Sequence, residues 1–197
     1  CTEWDLDRFY YKGKGGRLPV KAEIEKHYSE TTPNFRAADY EDFRVMLDQE
    51  KAIDAVLIAT PDHLHAYASL VAMRQGKHTY CEKPLTHNIR EARLVAQVAQ
   101  QTGVATQMGN PGHSRDGIRQ TCEWIWAGAI GAVREVHSWV PTNRWNPELT
   151  GLPQDQPPVP AGLNWDLWIG PREPRPWHPA YAPVTWRDFW AFGTGSF

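Results

Sequence analysis

A parallel α/β sheet is the fold class this sequence predicts for its first 110 residues, and three observations predict it. Residues 53–59, Ile-Asp-Ala-Val-Leu-Ile-Ala, form a nearly continuous apolar run, as expected of a strand buried on both faces. Two further short runs that favour strand, 78–81 and 104–108, follow it. Helical patterns over 63–75 and 89–102 separate the three, and strands alternating with helices at this spacing mean parallel pairing through crossover connections.

The elements follow in chain order. Residues 1–7, Cys-Thr-Glu-Trp-Asp-Leu-Asp, read as the end of a strand followed by acids. Residues 12–17 hold three glycines and predict a flexible turn. Pro19 opens a short helix over 19–28, and 31–34 is a break. Tyr40, Phe43, Met46 and Leu47 recur at helical spacing, which predicts an amphipathic helix over 40–50. Thr60-Pro61-Asp62 ends the 53–59 strand, and the following helix stops at Gly76. The 78–81 strand runs into Glu82-Lys83-Pro84, where Pro84 fixes its own φ and biases Lys83 away from the helical region. Ala92, Val95, Ala96 and Ala99 share one face of the 89–102 helix. Beyond the 104–108 strand the alternation weakens. A helix pattern covers 115–127, and 133–140 alternates as a longer strand does. From Pro141 to Pro183 eleven prolines are interleaved with Trp145, Trp165, Trp168 and Trp177. A plain linker lacks tryptophans, so an ordered irregular segment packed by aromatics is expected. The composition shift near residue 110 divides the chain into domains 1–110 and 111–197.

The totals exclude several classes of function. Among 197 residues, 21 Lys+Arg stand against 23 Asp+Glu. That balance provides no electrostatic footprint for nucleic acid or for an acidic membrane, and no apolar run approaches a membrane span. Cys1, Cys81 and Cys122 have no paired spacing and read as reduced thiols, which points to the cytoplasm. A periplasmic location is the alternative if a preceding segment carries an export signal. His63 and His65 invite a metal reading. On a helix, however, they diverge by about 200°, and no third ligand of suitable type lies nearby, so no metal is expected.

Ligands of open parallel sheets sit at the carboxyl ends of the strands. Two motifs, 59–65 (Ala-Thr-Pro-Asp-His-Leu-His) and 81–85 (Cys-Glu-Lys-Pro-Leu), end successive strands and open on one crevice. A lysine held there on a stiff turn could polarise a carbonyl or act as acid/base; solvated loop charge is the plain alternative. In these two motifs the chain resembles the Gfo/Idh/MocA oxidoreductase family, whose nucleotide domain carries Thr-Pro-x-x-x-His and then Glu-Lys-Pro. The resemblance extends through Gln107-Met108-Gly109-Asn110, through the Asn-Trp-Asp-Leu-Trp-Ile-Gly-Pro run from Asn164, and through the Trp-Arg-Asp-Phe-Trp run from Trp186.

The resemblance implies an incomplete Rossmann sheet followed by the start of an α+β domain with a mainly antiparallel sheet. It implies NAD as cofactor (NADP less so) and hydride transfer at a hydroxyl-bearing carbon of a sugar, cyclitol or similar polyol. It makes Lys83 the catalytic lysine, bonded to the substrate oxygen. Thr60, Pro61 and Asp62 would line the pyrophosphate and ribose, with Asp62 standing where the family often has Asn. Glu82 would lie near the nicotinamide ribose. His65 is either a cofactor contact or a packing histidine. Asp5, with Asp7 as alternative, would take the adenosine ribose hydroxyls and repel a 2′-phosphate. Gln107, Asn110, Trp186 and Arg187 complete the expected cofactor contacts, and His113 approaches the substrate. The family's glycine-rich turn is expected before residue 1 and its Asp-x-Gly-x-His run after Phe197. Homo-oligomerisation through the second domain's sheet is expected. A glycosidase that oxidises its substrate transiently and a non-catalytic sugar or nucleotide sensor are the alternatives within the fold.

Overall fold

The computed structural model describes residues 2–6, 12–139, 150–183 and 185–195. Its centre is a parallel sheet of three strands, β3 (Ala55–Ile58), β4 (His78–Glu82) and β5 (Thr106–Gly109), in the order β3-β4-β5. Ile58 is registered with Cys81, and Cys81 with Met108, so the three carboxyl ends finish side by side. Helix α3 (Asp62–Arg74) joins β3 to β4, and α4 (Ile89–Thr102) joins β4 to β5.

The alternation of side chains along the strands decides which face is covered. Ile58 and Cys81 point to the helix side and are buried with Ala68. Leu57 and Tyr80 point to the other side and are exposed. Ala66, Leu70 and Met73 of α3 meet Val95 and Val98 of α4 in a second cluster. Local chemistry bounds α4 at both ends. The Asn88 side chain accepts from the Glu91 N–H at 2.9 Å, the Glu91 carboxylate accepts from the His87 N–H at 2.8 Å, and Gly103 closes the helix at φ 66°.

Ahead of the sheet, β1 (Trp4–Leu6) and β2 (Gly13–Gly15) form an antiparallel pair. This corrects two expectations. The opening strand pairs with β2 and does not join the parallel sheet, and part of the glycine-rich turn is itself strand. Helix α1 (Arg17–Ser29) follows, with Arg17 and Lys21 both on Asp39. Helix α2 (Phe43–Gln49) starts later than expected because Asp42 caps it, accepting from the Arg44 N–H at 2.8 Å.

Past β5, Pro111–Ser114 is a 3₁₀ turn and α5 (Asp116–Trp126) an amphipathic helix. The strand expected over 133–140 does not form over 133–139, and Val140 lies outside the described residues. No strand follows Gly109 among the described residues, so the antiparallel sheet expected for 111–197 is absent from them. Here the sequence alternates, but the described residues offer no neighbouring strand to bond. Helix α6 (Trp165–Ile169) and the 3₁₀ turn Thr185–Asp188 belong to an aromatic cluster of Trp165, Trp177, Tyr181, Trp186, Phe189 and Phe192.

Candidate active site

Thr60 and Pro61 leave β3 and turn directly into α3. Pro61 is extended, and its carbonyl accepts from the Leu64 N–H at 2.9 Å, which starts the helix. One strand over, Glu82 ends β4 and Lys83 follows with an exposed side chain. The Lys83 N–H donates to the Gly109 carbonyl at 3.2 Å, which fixes the lysine's main chain to the end of β5. The Lys83–Pro84 peptide is cis. Glu82 lies flat over Gly109; a Cβ on Gly109 would stand 2.7 Å from a Glu82 carboxylate oxygen. Thr60, Pro61, Glu82, Lys83, Gly109 and Asn110 therefore gather at one end of the sheet.

Other expected site residues are placed differently. Asp62 is buried, and its carboxylate accepts from the Thr194 hydroxyl at 3.0 Å, so it faces the C-terminal segment. His65 is 1% exposed and uses both ring nitrogens internally, at 2.6 Å from the Pro84 carbonyl and 2.7 Å from the Thr60 carbonyl. Both ring nitrogens thus face main-chain carbonyls, as a packing histidine's would. Trp186 is buried in the aromatic cluster, with the Arg187 guanidinium 4.1 Å over its ring. Gln107 and His113 are exposed, and the Gln107 amide donates to the Met108 carbonyl at 2.7 Å. The His113 N–H donates to the Asn110 carbonyl at 3.0 Å. Asp5 sits within β1, opposite Lys14, and Asp7 lies outside the described residues.

His63 is fully buried between Trp168 and Phe192, with ring centroids at 4.9 and 5.1 Å. Its Nε2 donates to the Trp168 carbonyl at 2.7 Å, and its Nδ1 has no partner. Burial pushes its pKa down to about 4, outweighing the hydrogen bond to Trp168 that favours the cation. The sequence argued against a metal at His63 but did not reveal its aromatic partners, which lie more than a hundred residues away. Burial likewise pushes the Cys81 thiol up to about 11, so it is inert at neutral pH. Among the described residues no cluster of His, Cys, Asp or Glu could hold a metal ion, and no helix is long and apolar enough to cross a membrane.

The C-terminal segment is stitched over the starts of α3 and α4. Thr194 bonds Asp62, the Trp168 carbonyl takes His63, the Gly193 carbonyl lies 3.2 Å from His87 Nε2, and Arg172 pairs with Glu91 at 2.7 Å. Between this segment, α2 and the end of β3 lies a cavity of about 840 Å³, lined among others by Tyr40, Phe43, Thr60, Pro61, Tyr67 and Trp168. Lys83 and Glu82 are not part of its lining.

Residues 20–110 match the model of an oxidoreductase family, Gfo/Idh/MocA, described as having an NAD-binding Rossmann fold. The chain is 32% identical over 123 residues to 1,5-anhydro-D-fructose reductase of Ensifer adhaerens, covering 59% of this chain and 35% of the relative. It is 26% identical over 134 residues to 2,7-anhydro-N-acetylneuraminate hydratase of Mediterraneibacter gnavus, covering 68% and 35%. It is 36% identical over 61 residues to scyllo-inositol 2-dehydrogenase (NAD(+)) of Bacillus subtilis, covering 31% and 18%. The matches thus span about a third or less of the length of these curated relatives. Through residues 20–110, with the Thr-Pro and Glu-Lys-Pro turns at adjacent strand ends, this chain is similar to the Gfo/Idh/MocA family of NAD-binding oxidoreductases.

Proposed function

We propose that the protein is an NAD-dependent oxidoreductase acting at a hydroxyl-bearing carbon of a sugar, cyclitol or similar polyol, with Lys83 as its catalytic lysine. The observation that carries this reading is Lys83 on a short turn at the carboxyl end of β4, beside the Thr60-Pro61 turn at the end of β3. NAD, when bound, supplies the hydride acceptor. The chain fits such a group in one concrete respect: the cavity of about 840 Å³ opens on Thr60 and Pro61 and presents aromatic rings for a base to stack on. Thr60 and Pro61 bind and orient. Glu82, half-buried against Gly109, accepts hydrogen bonds from ribose hydroxyls. The Lys83 ammonium donates to the substrate oxygen as charge changes there, the form of stabilisation that counts most in such steps. Asp5 selects NAD over NADP by repelling a 2′-phosphate. Reduced cysteines suit the cytoplasm, and assembly of copies through the region after residue 110 accompanies this reading.

The hydratase among the relatives supports a second reading, in which oxidation is transient and an elimination or addition follows. Stoichiometric release of NADH from scyllo-inositol with NAD separates the two, because the transient mechanism recycles its cofactor. Lys83→Ala tests the first reading: kcat falls roughly 10²-fold or more, the usual loss for one such donor, while the NAD dissociation constant moves much less. Near-normal turnover in the variant removes lysine from the mechanism.

A further inference from the structure

We propose that His65 is a positioning residue, a clasp that holds the Lys83-Pro84 turn at a fixed distance from the Thr60-Pro61 turn. The proposal rests on the oxidoreductase reading for the role of Lys83, and on geometry alone for the clasp. The two turns belong to different strands and are separated by about 20 residues of helix and strand. A main-chain hydrogen bond from the Lys83 N–H to the Gly109 carbonyl ties the lysine to β5. On the β3 side the ladder ends at Ile58 and Cys81, which leaves a gap beyond it between Thr60 and Lys83. His65, on the first turn of α3, closes it. The ring lies 2.6 Å from the Pro84 carbonyl through Nδ1 and 2.7 Å from the Thr60 carbonyl through Nε2, and is 1% exposed.

Carbonyl oxygens only accept, so each contact is a hydrogen bond only when the ring nitrogen facing it carries the proton. A neutral ring has one N–H and serves one carbonyl at a time; an imidazolium serves both. Either way the ring reaches main-chain carbonyls of both turns, and it is buried on α3, as are Ala66, Ala68 and Ser69 of the same helix. Removing the ring therefore frees the Pro84 carbonyl and lets the Lys83 turn drift relative to Thr60. A displacement of about 1 Å between a catalytic group and its bound partner is enough to cost roughly 10²-fold in rate.

The test compares His65→Leu with His65→Gln in the enzyme that carries this chain, with Lys83→Ala beside them. His65→Leu fills the space without a donor; the amide of His65→Gln restores one. Turnover is followed with NAD and scyllo-inositol, NAD binding by titration, and the turn itself by hydrogen exchange of the Lys83 amide. His65→Leu is expected to lower kcat roughly 10²-fold with KM and the NAD dissociation constant changed by less than about threefold. Faster exchange at Lys83, and recovery of about tenfold of the lost kcat in His65→Gln, complete the expected result. Should His65→Leu fail to fold, His65→Gln carries the comparison: full turnover with an unprotected Lys83 amide overturns the positioning role. Normal kcat in a folded His65→Leu, or a rise in KM with kcat unchanged, overturns it as well. If Lys83→Ala is itself fully active, the oxidoreductase reading fails, and faster Lys83 exchange in His65→Leu then still reports the clasp separately.

Discussion

Acidification from pH 7 to pH 5 should loosen the fold through His63, and the size of the effect follows from its surroundings. The ring is 0% exposed, packed between Trp168 and Phe192, and its pKa is lowered from 6.5 to about 4, chiefly by burial. Unfolded, the ring takes up a proton near 6.5; folded, it resists until about 4. The depressed value means that the stability is fully present above 6.5 and is lost as pH falls toward 4, because the unfolded chain binds the proton first. At 1.36 kcal/mol per unit the whole difference is roughly 3 kcal/mol, of which roughly 2 kcal/mol is gone by pH 5. For a chain of this length that corresponds to a drop in Tm of roughly 4–8 °C. The carboxylates held low by basic partners, Asp39 through Lys21 and Arg17 and Asp42 through Arg44, change below this window. The assay is thermal unfolding followed by circular dichroism at pH 7, 6 and 5, for the natural chain and for His63→Gln. The variant is less stable at pH 7, having lost the ring contacts, but its Tm falls by clearly less between pH 7 and 5. An equal slope in both proteins would show that His63 is not the group that titrates and would refute the reasoning.

Three further outcomes are expected. Gly193→Ala drives a Cβ into the Arg187 main chain, where backbone must move; stability falls by roughly 1–3 kcal/mol, read as a lower urea midpoint at unchanged slope. Gly109→Ala meets the far end of the Glu82 side chain, which can swing away; Tm changes little, while the KM for NAD rises if Glu82 holds ribose. Asp5→Ser narrows the preference of NAD over NADP in kcat/KM, and a natural preference for NADP would contradict the assignment of Asp5.

How much of this was legible depends on how local each signal is. Helix α4 was read with its observed bounds because Asn88, Gly103 and the Val95 face all lie within its own stretch. The strands β3 to β5 are legible to within two residues at each end, since apolar or β-favouring runs mark them. β2 was read as turn because its three residues, Gly13, Lys14 and Gly15, have turn propensity, and their pairing with Trp4–Leu6 is a longer-range fact. The alternation over 133–140 looked like strand because pattern alone does not supply a partner. In the site, Thr60, Pro61, Glu82 and Lys83 were recognisable from motif and strand-end position. The inward turn of Asp62 and His65 was not, because Thr194 and Pro84 that engage them are 132 and 19 residues away.

The stitched C-terminal segment has a consequence for the order of assembly. Its bonds to α3 and α4 join residues 81 to 132 positions apart. Closing such loops is entropically slow, whereas the β3-α3-β4-α4-β5 run forms through contacts between consecutive elements. On a ribosome the sheet and its two helices emerge long before Trp168, Gly193 and Thr194 do. During that interval Asp62 and His63 face water, His63 takes its ordinary charge equilibrium, and the two helix starts are free. Only the arrival of residues 168–194 covers that surface and ties both helix starts to one segment. A nascent chain released before these residues carries its two motif turns without the cover that Trp168, Gly193 and Thr194 place beside them.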